Sequence, residues 1–189
     1  MTIANSSAAR RAGFRLNNKS VADAAAIDMA KIGTRTLRVP LPAQAFVGSG
    51  TSVAISADGI FNVFLLPNAN TGSLYTAHRL PAEWVSTSNV TLNIYWKSTG
   101  ITGDCKFSVE LASVIVGETL ALDDTQTVTT TVETTADKVS KSSVTFAAAL
   151  FAAADVLGIR ITRDPADAAD TLASDVEVVG AELEFTGRG

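Results

Sequence analysis

Apolar and polar residues alternate with a period of two through most of the chain after residue 33. "NVTLNIYWKS" (89–98) sets Val90, Leu92, Ile94 and Trp96 on one face. "CKFSVELASVI" (105–115) does the same with Phe107, Val109, Leu111 and Ser113, and "DVEVVGAELEF" (175–185) with Val179, Ala181, Leu183 and Phe185. That period marks a half-buried strand. Strands are also predicted over 34–41, 51–56, 60–66, 73–80, 125–133, 138–146 and 155–163. Asp58-Gly59, "PNANTG" (67–72), "STGITGD" (98–104), Gly117 and the "DPADAAD" stretch punctuate them as turns. About ten short strands at near-regular spacing predict an all-β chain, an antiparallel β-sandwich over residues 36–189.

The first 35 residues read differently. Residues 1–19 have no period and predict an extended arm. "SVADAAAIDMAKIG" (20–33) predicts one short helix, capped by Ser20 with Asp23 and closed by Gly33. Its apolar face (Val21, Ala24, Ala25, Ile32) is thin, so it needs a partner surface to persist.

Charge follows the same division. Residues 1–35 carry six basic residues against two acidic ones, whereas the remainder carries nine against seventeen. A basic arm on an acidic body predicts docking on an acidic partner through Arg10, Arg11, Arg15 and Lys19. The net charge of −4 gives no reason to expect direct nucleic-acid binding. Cys105 is the single cysteine, so no intrachain disulfide forms. The N-terminus lacks the apolar core of a secretory signal, and the longest near-apolar run (146–159) is broken by Asp155 and too short for a membrane span. The expectation is a soluble protein made in the cytoplasm, with no membrane partner.

The residues offer little for catalysis. His78 is the sole histidine and no nucleophile motif accompanies it; zinc ligands and nucleotide-binding glycine patterns are missing. The expectation is a protein without enzymatic activity or cofactor. Asp164, Asp167 and Asp170 form a calcium candidate, but the D-x-D-x-D-G pattern is missing, and the preferred reading is a charged loop between strands. In that loop Arg160 and Arg163 would neutralise the aspartates as exposed pairs, each contributing about 0–1 kcal/mol. Trp96 falls in phase with core residues, while Trp84 in "LPAEWVS" reads as more open. The threonine run 127–135 reads as a solvated strand near an edge or at an intersubunit face.

The succession Pro81 and Trp84, Tyr95-Trp96, Gly103-Asp104, Arg160 with Arg163-Asp164, and Asp170-Thr171 resembles a recurring β-sandwich of tailed-bacteriophage virion proteins. The resemblance spans roughly residues 40 to 186 and none of its motifs is catalytic. It implies a jelly roll and a capsid decoration, cement or head-fibre protein, located in the virion. Its partners would be the major capsid protein or neighbouring copies, with a homo-oligomer, a trimer favoured, anchored by the arm. A tail-fibre or baseplate component and a single jelly-roll shell protein are alternatives of the same kind. A different class of reading is a glycan-binding module, resting on Trp84, Tyr75 and the acidic loop as ligand groups.

Overall fold

A computed structural model describes residues 33–152 and 155–188. The arm residues Arg10, Arg11, Arg15 and Lys19 and nearly all of the helix expected over 20–33 lie outside the described residues.

Eleven strands follow one another: β1 (Thr34–Pro42), β2 (Val47–Ser49), β3 (Ala54–Asp58), β4 (Phe61–Leu66), β5 (Gly72–Arg79) and β6 (Val90–Lys97). Then come β7 (Asp104–Val114), β8 (Asp124–Thr131), β9 (Ser140–Phe146), β10 (Val156–Arg163) and β11 (Val176–Arg188). Single 3-10 turns stand at Ala43–Ala45 and Ala148–Leu150. One sheet has the order β3-β4-β11-β6-β9, with β1 also on β11; the other runs β2-β5-β10-β7-β8. Neighbours along both orders pair antiparallel, and most are distant in sequence. The two sheets make a jelly-roll-like β-sandwich. No helix among the described residues is long and apolar enough to cross a membrane.

The core fills the space between the sheets with the side chains that the alternation nominated. Val90, Leu92, Ile94 and Trp96 of β6 face Phe107, Val109 and Leu111 of β7, all essentially closed to solvent. Trp96 packs edge-on against Phe107 at 5.8 Å between ring centres and donates its indole N–H to Ser142 Oγ at 2.9 Å. The threonine-rich strand β8 does lie at a sheet edge.

Three expectations change. Val179 is not a core residue, because β11 carries a bulge between Val178 and Gly180. The bulge puts Val176 and Val178 inside ahead of it and Ala181, Leu183 and Phe185 inside after it. Trp84 is not open: it is 3% exposed, stacks edge-on against Phe151 at 5.9 Å and donates to the Ser88 carbonyl. A short segment after a proline carried no period that could reveal this. Strand β2, three residues long, was likewise too short to leave a pattern.

Candidate functional site

The acidic stretch after β10 is a stitched loop. Arg163 is fully buried and grips Asp170 with two bonds, Nε to Oδ2 at 2.9 Å and Nη2 to Oδ1 at 3.0 Å. Its remaining N–H groups donate to the Leu172 carbonyl at 2.7 Å and the Ser174 carbonyl at 2.8 Å. Asp170 also accepts the Lys106 backbone N–H, and the Thr171 and Leu172 N–H groups both reach the Asp104 carbonyl. Gly103 permits the close approach. It has φ +102°, and a Cβ there would stand 2.6 Å from the Thr171 carbonyl oxygen.

The three calcium candidates are therefore not brought together. Asp170 is spent on Arg163, Asp164 accepts the Thr71 hydroxyl and the Ala166 N–H, and Asp167 accepts from Lys106 Nζ at 2.6 Å and from the Ala169 N–H. Lys106, then the Ala169 N–H, hold the Asp167 carboxyl below the usual range. Among the described residues no three His, Cys, Asp or Glu side chains gather as a metal site. The expectation of a charge-paired loop stands, with two corrections. The Arg163–Asp170 pair is buried rather than exposed, and Arg160 takes no part, pairing instead with Glu110. Their spacing explains it. Positions 160 and 163 differ by an odd number, so strand alternation sends the two arginines to opposite faces.

Arg160 belongs to the outer face of the β2-β5-β10-β7-β8 sheet. The register lines up Val47, Tyr75, Arg160, Glu110 and Thr125 across five strands. One outward step toward the acidic loop, Ser49, Ser73, Thr162, Ser108 and Thr127 form a hydroxyl row, with Ser73 and Thr162 bonded at 2.8 Å. One step the other way, Ala77, Gly158 and Ala112 leave a shallow floor, because none has a side chain larger than a methyl group. The β7–β8 connection folds back here: the Asp123 N–H meets the Leu111 carbonyl and Asp123 accepts the Ser113 N–H. Leu120 and Leu122 thereby wall a hollow of about 310 Å³ with Tyr75, Arg160 and Glu110.

This hollow has unspent chemistry. Tyr75 is 39% exposed, Leu120 79% and Leu122 58%, so apolar surface remains open beside an ion pair. Glu110, then the Tyr75 hydroxyl, keep the Arg160 guanidinium above its already high ordinary range, so it is a permanent cation. Its Nε, shielded from solvent, has no acceptor in the protein. A second hollow of about 270 Å³ lies farther along the same face, lined by Ser108, Thr162, Thr127, Lys106, Thr71, Asp164 and Asp167. Tyr75 was nominated from sequence; Arg160 was nominated for the wrong partner, and Gly158, Glu110, Leu120 and Leu122 were missed. Period-two alternation fixes which face such residues occupy, but not that a connecting loop folds over them.

His78, the sole histidine, sits opposite Leu157 on β10, and burial pushes its pKa down. Cys105 is fully buried, and loss of solvent pushes its thiol pKa far up, which makes it inert.

No family model and no curated protein matches the chain. Solved structures do match in shape. A family 35 carbohydrate-binding module from Cellvibrio japonicus Abf62 aligns over 81% of this chain and 98% of its own, with a TM-score of 0.52 at 12% identity. A family 35 module from Clostridium thermocellum aligns over 78% and 97%, with a TM-score of 0.47 at 10% identity. A xylan-binding module, CBM15, aligns over 83% and 100%, with a TM-score of 0.46 at 12% identity. At 12% identity the first of these likenesses, the one with a TM-score above 0.5, shows the β-sandwich fold alone. The fold expected from the virion resemblance is present, while these comparisons give the virion assignment itself no support.

Proposed function

We propose that the protein is a non-catalytic glycan-binding module whose binding surface is the outer face of the β2-β5-β10-β7-β8 sheet. One observation carries the reading: the hollow where the Tyr75 ring, Leu120 and Leu122 stand exposed beside the Arg160–Glu110 pair. Sugars present apolar C–H faces and hydroxyl edges together. A tyrosine ring with neighbouring leucines suits the first, and a charged hydrogen-bonding pair suits the second. Among the described residues Glu110 is the only carboxylate lining the hollow and is held by Arg160, which suits binding better than acid–base chemistry. Trp84 and the Asp170 end of the acidic loop drop out as ligand groups because both are buried.

The test is a titration on an array of oligosaccharides. A binding glycan is expected to lose at least tenfold in affinity with Tyr75→Ala. Gly158→Val is expected to block the hollow without unfolding the sheet, since a Cβ at Gly158 meets nothing closer than 3.8 Å. Unchanged binding in both variants would move the site elsewhere, and no binding to any glycan would end the reading.

A second reading is a virion structural protein held in a particle by Arg10, Arg11, Arg15 and Lys19. The charge division favours it, a basic first 35 residues against an acidic remainder. Deleting residues 1–33 would then abolish incorporation into particles while leaving the sandwich folded. Retention of the truncated body at full occupancy rules that anchor out.

A further inference from the structure

The two hollows on the outer sheet face occupy consecutive outward positions of the same two strands. Glu110 and Arg160 line the first; Ser108 and Thr162, one outward step on, line the second; Lys106 closes the far end. From Glu110 to Lys106 the strand advances four residues, roughly 13 Å at about 3.3 Å each. A monosaccharide cannot cover that run, and a short oligosaccharide can. The surface changes character along it, from the apolar wall of Tyr75 and Leu122, through the hydroxyl row, to the Lys106–Asp167 pair at 2.6 Å.

Charge narrows the ligand further. Both cations on the run are matched at close range, Arg160 by Glu110 and Lys106 by Asp167. Asp164 adds a third carboxylate, held by neutral donors: the Thr71 hydroxyl and the Ala166 N–H. Two cations against three carboxylates leave a local surplus of one negative charge. A uronate-, sulfate- or sialate-bearing chain would meet that surplus with no unmatched cation to receive it. Neutral hydroxyls, which both donate and accept, suit the Ser/Thr row and the paired ions alike.

We infer that the face takes a linear, uncharged oligosaccharide of three or more units, laid along β10 and β7 from the Tyr75 end to the Lys106–Asp167 pair. This inference rests on the glycan-binding reading and deepens it. The hydroxyl row is the middle subsite, and the Lys106–Asp167 pair is a length-sensing end that short ligands never reach.

The experiment uses the full chain and a graded array of β-1,4-linked gluco-, xylo- and galacto-oligosaccharides from one to six units. Oligogalacturonides and sulfated and sialylated oligosaccharides of equal lengths run beside it. Affinity for a neutral series is expected to rise at least tenfold from the monosaccharide to the trisaccharide and then to level off, with no such rise in the charged series. Lys106→Met is expected to lower trisaccharide affinity severalfold and to leave mono- and disaccharide binding unchanged. Circular dichroism and the unaltered disaccharide response establish that the variant is folded. Affinity independent of length, or stronger binding of a charged series, with Tyr75→Ala still abolishing binding, would overturn the extended neutral site and leave the glycan reading standing. No binding to any member of the array removes both.

Discussion

Arg160 and Arg163 stand three residues apart on one strand and lead opposite lives. Arg163 points inward, has no exposed surface, and finds an acceptor for each of its nitrogens in one loop and its surroundings. Arg160 points outward, is 40% exposed along its side chain, and leaves Nε without an acceptor. The first arrangement is complete and has nothing left to offer a ligand. The second is half complete, beside open apolar surface. Density of charge in sequence is therefore a poor guide to a candidate site, whereas open apolar surface beside a partly exposed ion pair is a better one. The crowd of aspartates after β10 holds the loop, and the sparse face behind it carries the surface proposed to bind glycans.

The comparison breaks most sharply at the buried end. Asp170→Asn, or Arg163→Met, should cost about 3–5 kcal/mol, because either change strands an uncompensated charge in the interior. A urea denaturation midpoint reads the loss, and a loss under 1 kcal/mol would mean that the pair opens to water. Replacing both partners at once, with Met and Leu, should cost less than the single changes, since no lone charge remains. Gly103→Ala comes next. Its left-handed φ and the nearby Thr171 carbonyl should together cost about 1–3 kcal/mol by pushing the loop off β7.

Much of this fold was legible because strands in a sandwich carry their burial in alternate residues. Every strand expected from sequence occurs within a few residues of its predicted place, and the phase of β6 put Trp96 in the core. Legibility failed where alternation was interrupted. The bulge at Val179 shifts the phase of β11, marked in sequence only by the neighbouring Gly180, and Trp84 lies in a turn with no period at all. The site was less legible than the fold. Tyr75 was visible as an aromatic on a strand, but the hollow beside it depends on the 115–123 connection returning over Ala112 and Gly158. That return is a long-range event. No local pattern encodes it.

At the open end the expected effects on stability are small. Arg160→Ala or Glu110→Ala should change stability by no more than about 1 kcal/mol, as half-exposed pairs do. The same changes should weaken glycan binding severalfold, so function and stability separate here as they cannot at Arg163. A stability loss equal to that of Asp170→Asn would erase the distinction between the two arginines.

The smallest effect concerns Asp167, which lies on the loop but faces the groove. Its folded pKa is held below the ordinary aspartate value of 3.8, chiefly by Lys106. A carboxyl with a depressed folded pKa binds fewer protons in the native state than in the unfolded one. Its contribution is therefore complete above the unfolded pKa and disappears as pH falls through the folded value. The melting temperatures of the wild type and Asp167→Asn should differ slightly and constantly from neutral pH down to the carboxylate range. Below pH 3.8 the difference should shrink toward zero. The side chain is 34% exposed, so added salt should shrink the neutral-pH difference too. A difference that persists unchanged into strong acid would mean that Asp167 acts through its turn-forming bond to the Ala169 N–H, and that Lys106 contributes charge to the groove rather than to the fold.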